Sequence, residues 1–415
     1  MNVSLLNKVL RLLLIYGVVC VAGSCQNKEI ENVSPPSPFK VLESYSFSQK
    51  IPVFQVRLMA SLLNLPSHIN QRFQHDIRIY RLIYRSKYQN NNIRGSGIVI
   101  IPDNFSNPPI LSAQRGTIFA SKEAPSRFFF SLNNFAGNPT GFEILASLGY
   151  IVVIADLFGF GASENVFHPY LLKEPSARAS YDMLQATVEF LEAEKISFDK
   201  KLFLTGYSQG GYTTLALQEL LEKEPIPLLS LTAVTAGAGP YNIEKTMEEI
   251  IKDTLYENPA FLIYVFHAYN QHYGTDYLRS IIFQPEVADK IPILFNRQNT
   301  LGTINAALSK RLDSVFVPNF LNDLRKKRQI AWLRVFRENH TDNFTPQTPL
   351  RLFHSLSDEV VPVAVSREAY RNFLNRDANA VVSFFPTNTS SHATGISPML
   401  LHSILWFDSL KMYPK

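Results

Sequence analysis

Short unbroken apolar runs alternate along the chain with longer stretches in which apolar residues recur every three or four positions. The first helical stretch covers residues 51–65, carried by Val53, Val56, Leu58, Met59, Leu62 and Leu63, and stops at Pro66. Residues 76–85 then alternate in part and are rich in strand formers, and 95–102 make a second such run after the polar turn 89–92. Two strands with a short polar link predict an antiparallel hairpin at one edge of a sheet.

Beyond the hairpin the pattern becomes strand, helix, strand, helix. Apolar runs at 110–113, 150–155, 201–204 and 230–236 are separated by helical patterns near 141–148, 177–194 and 213–221. Strands that are apolar at nearly every position must be buried on both faces, which predicts a mostly parallel sheet with helices on either side. Ligands gather at the carboxyl ends of such strands, where the glycine-bearing loops of this chain fall.

The alternation breaks after Pro240, and to about residue 347 the chain is helix-like and aromatic. It resumes with an apolar strand at 350–354, a helix near 363–374, a strand at 380–385 and a closing helix at 397–410. An insertion between two sheet strands, on the strand-end side, reads as a helical cap over about 241–347. Its aromatics are expected mostly to pack within the insertion, with a few lining an acyl or aryl pocket.

Composition narrows the function. A chain of 415 residues that is 46% hydrophobic and 18% charged can bury a large core. Its net charge of +5 is small for that size and does not point to nucleic acid. Cys20 and Cys25 are the only cysteines and both lie in the leader, so the folded part has neither zinc-type spacing nor disulfides. The basic run Arg325-Lys326-Lys327-Arg328 reads first as a solvated helical face, and otherwise as a contact to anionic lipid or substrate.

The leader has the order of an export signal over residues 1–24: Lys8 and Arg11, an apolar run too short to span a bilayer comfortably, then Ala22, Gly23 and Ser24. Small residues ending on Cys25 resemble the lipobox of bacterial lipoproteins, although Ala22 stands where Leu is preferred. That resemblance implies acylation at Cys25, a membrane anchor at the bacterial envelope, and a proline-rich tether over 25–45, with Pro35, Pro36 and Pro38. An ordinary cleaved secretory signal is the alternative. The main domain would then occupy 46–415.

The chemistry centres on Gly206-Tyr207-Ser208-Gln209-Gly210, placed between the apolar run 201–204 and a helical pattern. Gly-x-Ser-x-Gly at a strand-to-helix turn is the form of a nucleophile elbow, which exposes a serine hydroxyl at the top of a sheet. A serine is a poor nucleophile at neutral pH, so a base must reach its oxygen. The Gly159-x-Gly161 loop after Asp156 lacks the third glycine of a nucleotide loop and is weak evidence for one.

With these elements in place the chain resembles an α/β-hydrolase, and within that fold the capped secretory-lipase and esterase group, from about residue 75 to the end. The resemblance implies a triad in the order serine, acid, histidine. Ser208 is then the nucleophile. Asp358, in the loop Asp358-Glu359-Val360-Val361-Pro362, is the acid, with Glu359 as rival, and His392 before the last helix is the base, with His402 as rival. The other histidines are treated as structural. Backbone N–H groups of Gln209 and of Gly116 or Thr117 would form the oxyanion hole. Relatives commonly carry His-Gly-Thr where this chain has Arg115-Gly116-Thr117, so Arg115 either repacks that loop or meets an anionic part of the substrate. Ester hydrolysis through an acyl-enzyme, on a small-molecule or lipid ester and without metal or cofactor, is the implied function. A peptidase or amidase of the same fold and a catalytically silent binding lipoprotein are the alternatives.

Overall fold

A computed structural model of the chain describes residues 39–63, 65–131, 140–275, 278–378 and 381–412. The leader, Cys20, Cys25 and most of the tether lie outside the described residues. Among the described residues nine strands form one sheet: β1 (Leu42–Ile51), β2 (Ile77–Tyr88), β3 (Asn91–Pro102), β4 (Ile110–Gln114), β5 (Ile151–Ala155), β6 (Lys201–Tyr207), β7 (Ser230–Gly237), β8 (Leu350–Ser355) and β9 (Val382–Thr387). Their spatial order is β1-β2-β3-β5-β4-β6-β7-β8-β9. Pairing is antiparallel from β1 to β5 and parallel from there to β9.

The hairpin forms, with Gln89 and Asn90 both left-handed at φ 50° and 64°, as a two-residue turn between twisted strands requires. It is not the edge. β1 covers its outer side and begins at Leu42, inside the stretch read as tether. An edge strand borrows its hydrogen bonds from its neighbour and needs few apolar anchors. The strand's first residues, Leu42 to Tyr45, therefore read as tether in the sequence.

Central strands show why the two faces are covered. Ile151 and Val153 of β5 point to one core, with Met183, Phe190 and Leu215 from the helices Lys173–Ala193 and Gln209–Lys223. Val152 and Ile154 point to the opposite core, with Met59, Leu145 and Ile404. That second face is built by the helices Val53–Leu62 and Ile396–Met412 and by Glu143–Leu148, a tighter 3₁₀ turn where an ordinary helix was expected. The strand order reverses around β4, so β4 and β6 lie side by side at the switch point.

Between β7 and β8 the chain makes a helical layer from Ile243–Ile251 to Ile330–Glu338. It has its own core around Phe266, whose ring meets Trp332 at 4.8 Å and Phe316 and Phe320 at 5.5 Å. The layer is pinned at its base, where the Thr341 amide donates to the Tyr241 carbonyl at 2.8 Å and the Ala238 amide to that of Phe353 at 2.8 Å. Tyr212 on the helix after β6 fastens it further, donating to the carbonyls of Leu171 and Asn339.

Candidate active site

Ser208 stands between β6 and its helix with φ 60° and ψ −125°, a conformation that L-residues seldom adopt. It holds because its surroundings leave no alternative. Its amide donates to the Gly237 carbonyl at 2.9 Å, and its own carbonyl accepts from Tyr212 at 3.1 Å. At Gly210 a Cβ would collide with the Gln114 carbonyl oxygen, so only glycine lets the helix start this close to the end of β4. Backbone strain of this kind costs on the order of 1–3 kcal/mol and survives only where packing enforces it.

Asp358 and His392 are brought together by the loops after β8 and β9. His392 Nδ1 lies 2.7 Å from Asp358 Oδ2, with the Asp358 side chain fully buried and the imidazole 14% exposed. The other carboxylate oxygen accepts the Val360 and Val361 amides at 2.9 and 2.8 Å. Asp358 caps no helix; Pro362 stands at that position before Val363–Leu374. Burial pushes the Asp358 carboxyl up, but hydrogen bonds from His354 and His392 outweigh it and hold the group well below the usual carboxylate range. It is ionised at neutral pH.

Glu359 is exposed and does not touch the His392 ring; it accepts the His392 backbone amide at 2.8 Å, so the rival acid steadies the histidine loop. Tyr207, the residue before Ser208, adds a second hold by donating to the His392 carbonyl at 2.7 Å with the rings 5.1 Å apart. Thus His392 is fastened beside the elbow. No hydrogen bond links Ser208 to His392 among the described residues, and such contacts are often long before substrate binds. His402 packs its ring against Phe353 and Phe385 and is not paired with the acid.

The loop after β4 runs alongside the serine: a Cβ on Gly116 would lie 3.9 Å from Ser208 Cβ. Thr117 exchanges a hydrogen bond with the Tyr170 hydroxyl at 3.0 Å. Gln209 opens the helix Gln209–Lys223, so its N–H has no acceptor within that helix. Its side chain is buried and donates to Nε2 of His168, whose Nδ1 donates to the Phe158 carbonyl at 2.6 Å. Burial lowers the His168 imidazole to about 4, which keeps it neutral, and the Phe158 carbonyl at Nδ1 fixes this tautomer. Arg115 is partly buried, and its electrostatic partners are Glu143, Glu123 and Asp156, which favours the repacked-loop expectation over contact with substrate.

Asp156 fills the space inside the glycine loop, accepting from Ser96 at 2.5 Å and from the Ser126 amide at 2.8 Å, which leaves a structural role. The basic run is engaged within the helical layer: Arg325 donates to the Ile251 carbonyl and Lys327 pairs with Glu248 at 3.1 Å. No group of three or more metal-ligating side chains occurs among the described residues, and no described helix is long and apolar enough to cross a membrane.

Above Ser208 lies an apolar crevice lined by Tyr170, Met247, Ile250, Tyr256, Phe261 and Val265 among others. Its open volume is about 30 Å³, roughly one water's share. Tyr256 joins this wall to the acid loop by donating to the Val360 carbonyl at 3.0 Å. Sequence reasoning did not single out His354, His168 or Tyr256. None sits in a motif, and each is marked only by what it touches in space. Only the four-residue step from His354 to Asp358 at a strand end could have drawn notice.

The secretory lipase family profile matches residues 142–409. A secreted triacylglycerol lipase of Malassezia globosa is 22% identical over 352 residues, covering 79% of this chain and 72% of the relative. Among solved structures, a Legionella pneumophila protein provisionally assigned as a hydrolase superposes with a TM-score of 0.82 at 26% identity, covering 91% of this chain and all of that one. The rice cell wall degrading esterase LipA of Xanthomonas oryzae gives 0.76 at 24% identity, over 88% and 95% of the two chains. Candida antarctica lipase A gives 0.63 at 19% identity over 90% and 83%, and like the esterase it supports the fold. With the family matched over well more than half its length, the chain belongs to the secretory lipases, and it is an exported carboxylic ester hydrolase of the α/β-hydrolase fold.

Proposed function

We propose that Ser208, His392 and Asp358 act as the triad of this hydrolase and that cleavage runs through an acyl-enzyme. The observation that carries the reading is the 2.7 Å contact between His392 Nδ1 and the buried Asp358 carboxylate, fastened beside the strained serine. With Nδ1 donating to Asp358, Nε2 is free to accept the Ser208 proton as Oγ attacks the ester carbonyl. The tetrahedral oxyanion then meets the N–H of Gln209 and that of Gly116 or Thr117, and each such donor is worth about 10²–10³ in turnover. His392 returns the proton to the leaving alcohol, and a water activated by the same imidazole releases the acid. The helical layer acts as the cap, and the apolar wall it sets over Ser208 matches an acyl group in character better than a peptide, though the crevice has to widen to admit one.

A fluorophosphonate label read by mass spectrometry, followed by assays on p-nitrophenyl esters of rising acyl length, tests this directly. Labelling should map to Ser208, and Ser208→Ala or His392→Ala should lose on the order of 10⁶ in kcat if the three act as a unit. Full activity in Ser208→Ala, or a label on another residue, would end the proposal.

The leader supports a further part of the reading: small residues end directly on Cys25, and a proline-rich stretch follows. Acylation at Cys25 would hold the enzyme to the envelope membrane through the proline-rich stretch. Metabolic labelling with an alkynyl fatty acid should mark the wild type and not Cys25→Ala; equal labelling of both removes the anchor from the proposal.

A further inference from the structure

His354 is the next-to-last residue of β8 and has no exposed side-chain surface. Its Nε2 lies 2.7 Å from the Val361 carbonyl oxygen and 3.2 Å from Asp358 Oδ2. Both are acceptors, so Nε2 carries the proton; it donates to the Val361 carbonyl, and Asp358 Oδ2 lies beside the same N–H at 3.2 Å. Across the ring, Nδ1 lies 2.6 Å from the Ser366 hydroxyl on the following helix, which is placed to donate to it. The imidazole is therefore held at both nitrogens, in one tautomer and one orientation.

The oxygen it touches is the one that faces His392. Asp358 Oδ2 thus lies between two imidazoles, at 2.7 and 3.2 Å, while Oδ1 is occupied by two backbone amides. The two amides on Oδ1 already restrain rotation of the carboxylate, but a single ring N–H at Oδ2 would concentrate its buried charge on that one partner. The N–H of a second imidazole beside Oδ2 spreads the charge and steadies that oxygen's direction.

Resting on the triad reading above, we propose that His354 is a positioning residue: it aligns the Asp358 carboxylate on His392 and disperses its charge without meeting substrate. Ser366 belongs to the same device because it fixes the orientation of the His354 ring. The chain of contacts runs Ser366, His354, Asp358, His392, with the nucleophile at its far end.

Two substitutions in the full chain separate this role from mere packing. His354→Gln keeps an N–H donor near the position of Nε2, and His354→Phe keeps the ring's bulk without one. Turnover of a short p-nitrophenyl ester is normalised to active sites titrated with a fluorophosphonate, so loss of folded protein does not count. His354→Phe should lower kcat by about 10- to 100-fold with little change in KM, by analogy with the loss of outer partners that orient metal-binding side chains. His354→Gln should restore most of it. The acidic limb of the His354→Phe profile should move to higher pH, because a less dispersed carboxylate charge favours the charged form of its remaining partner.

Equal losses in both variants, a limb moved to lower pH, or wild-type turnover per site in His354→Phe would overturn the proposal. If His354→Phe does not accumulate, Ser366→Ala serves: kcat per site should fall by less, and an unchanged value overturns it. A signal independent of turnover is the downfield N–H proton resonance of His392, expected to vanish in His392→Ala and shift in His354→Gln. A wild type that shows the resonance but no turnover defeats the triad mechanism and leaves the His354 contact standing. Turnover with a resonance indifferent to His354 defeats the positioning role alone.

Discussion

The side-chain amide of Gln209 lies 2.9 Å from Nε2 of His168, beneath the elbow and out of solvent. The residue next to the proposed nucleophile is therefore anchored at its side chain while its backbone N–H opens the helix. Gln209→Ala would strand the imidazole acceptor. An unsatisfied buried polar group costs about 1–3 kcal/mol, and the loosened donor should lower kcat by about 10-fold or more. Denaturant titration and kcat on one soluble ester check both effects, and a stable variant with unchanged kcat would show that the anchor is idle.

A different buried acid sets a dependence of stability on pH. Asp182 is raised to about 6, chiefly by burial, with the Ser86 hydroxyl at 2.5 Å and nearby Arg178 pulling the other way. Between the unfolded value of about 3.9 and 6 the native state binds the extra proton, so this group's stabilisation is complete below 4 and is lost as pH rises through 6. Asp182→Asn keeps a partner for Ser86 and carries no charge. It should gain about 1–2 kcal/mol at pH 8, an advantage that shrinks below pH 6. Urea unfolding at pH 8 and pH 5 gives the comparison, and an advantage that grows on acidification would reverse the sign.

Gly210 offers the sharpest steric test. A methyl group there would meet the backbone carbonyl of Gln114, which cannot swing aside as a side chain could. Gly210→Ala should cost more than about 3 kcal/mol or fail to fold, whereas Gly274→Ala, with nothing within 4 Å but φ +68°, should cost about 1 kcal/mol. Thermal melts of the pair decide it.

Chain-length preference should follow the wall of the crevice. Met247 on the helix Ile243–Ile251 narrows the space over Ser208. Met247→Ala removes several methylene-sized groups, each worth about 0.8 kcal/mol of burial. The ratio of kcat/KM for octanoate over acetate esters should rise by about 10-fold or more. An unchanged ratio would mean that the acyl chain leaves by another route.

Much of this was legible before any coordinates. Unbroken apolar runs at 150–155 and 202–204, set between helical patterns, read as strands buried on both faces, and the loss of alternation after Pro240 marked the helical layer. Ser208, Asp358 and His392 stood out because their spacing along the chain follows the order of strands. Edge strand β1 did not, because half of its positions face water and its anchors are only Leu42 and Ile51. His354 and His168 act through partners brought near by folding, and a lone histidine carries no trace of that in one dimension. Tyr256 was hidden among many aromatics, since a hydroxyl that bonds a carbonyl in another segment looks like any core tyrosine.

The pinned base of the helical layer has a consequence for how the chain may be divided. Ser208 precedes the layer, Asp358 and His392 follow it, and β7 pairs with β8 directly beneath. Strand pairing, and not backbone continuity through the layer, is thus what sets these three residues at one end of the sheet. A cut within the layer would leave two fragments, neither holding the whole proposed triad, that interlock along one strand boundary. Co-expressed, they should recover ester turnover that each lacks alone, making the enzyme a two-piece reporter whose activity registers reassembly of the sheet.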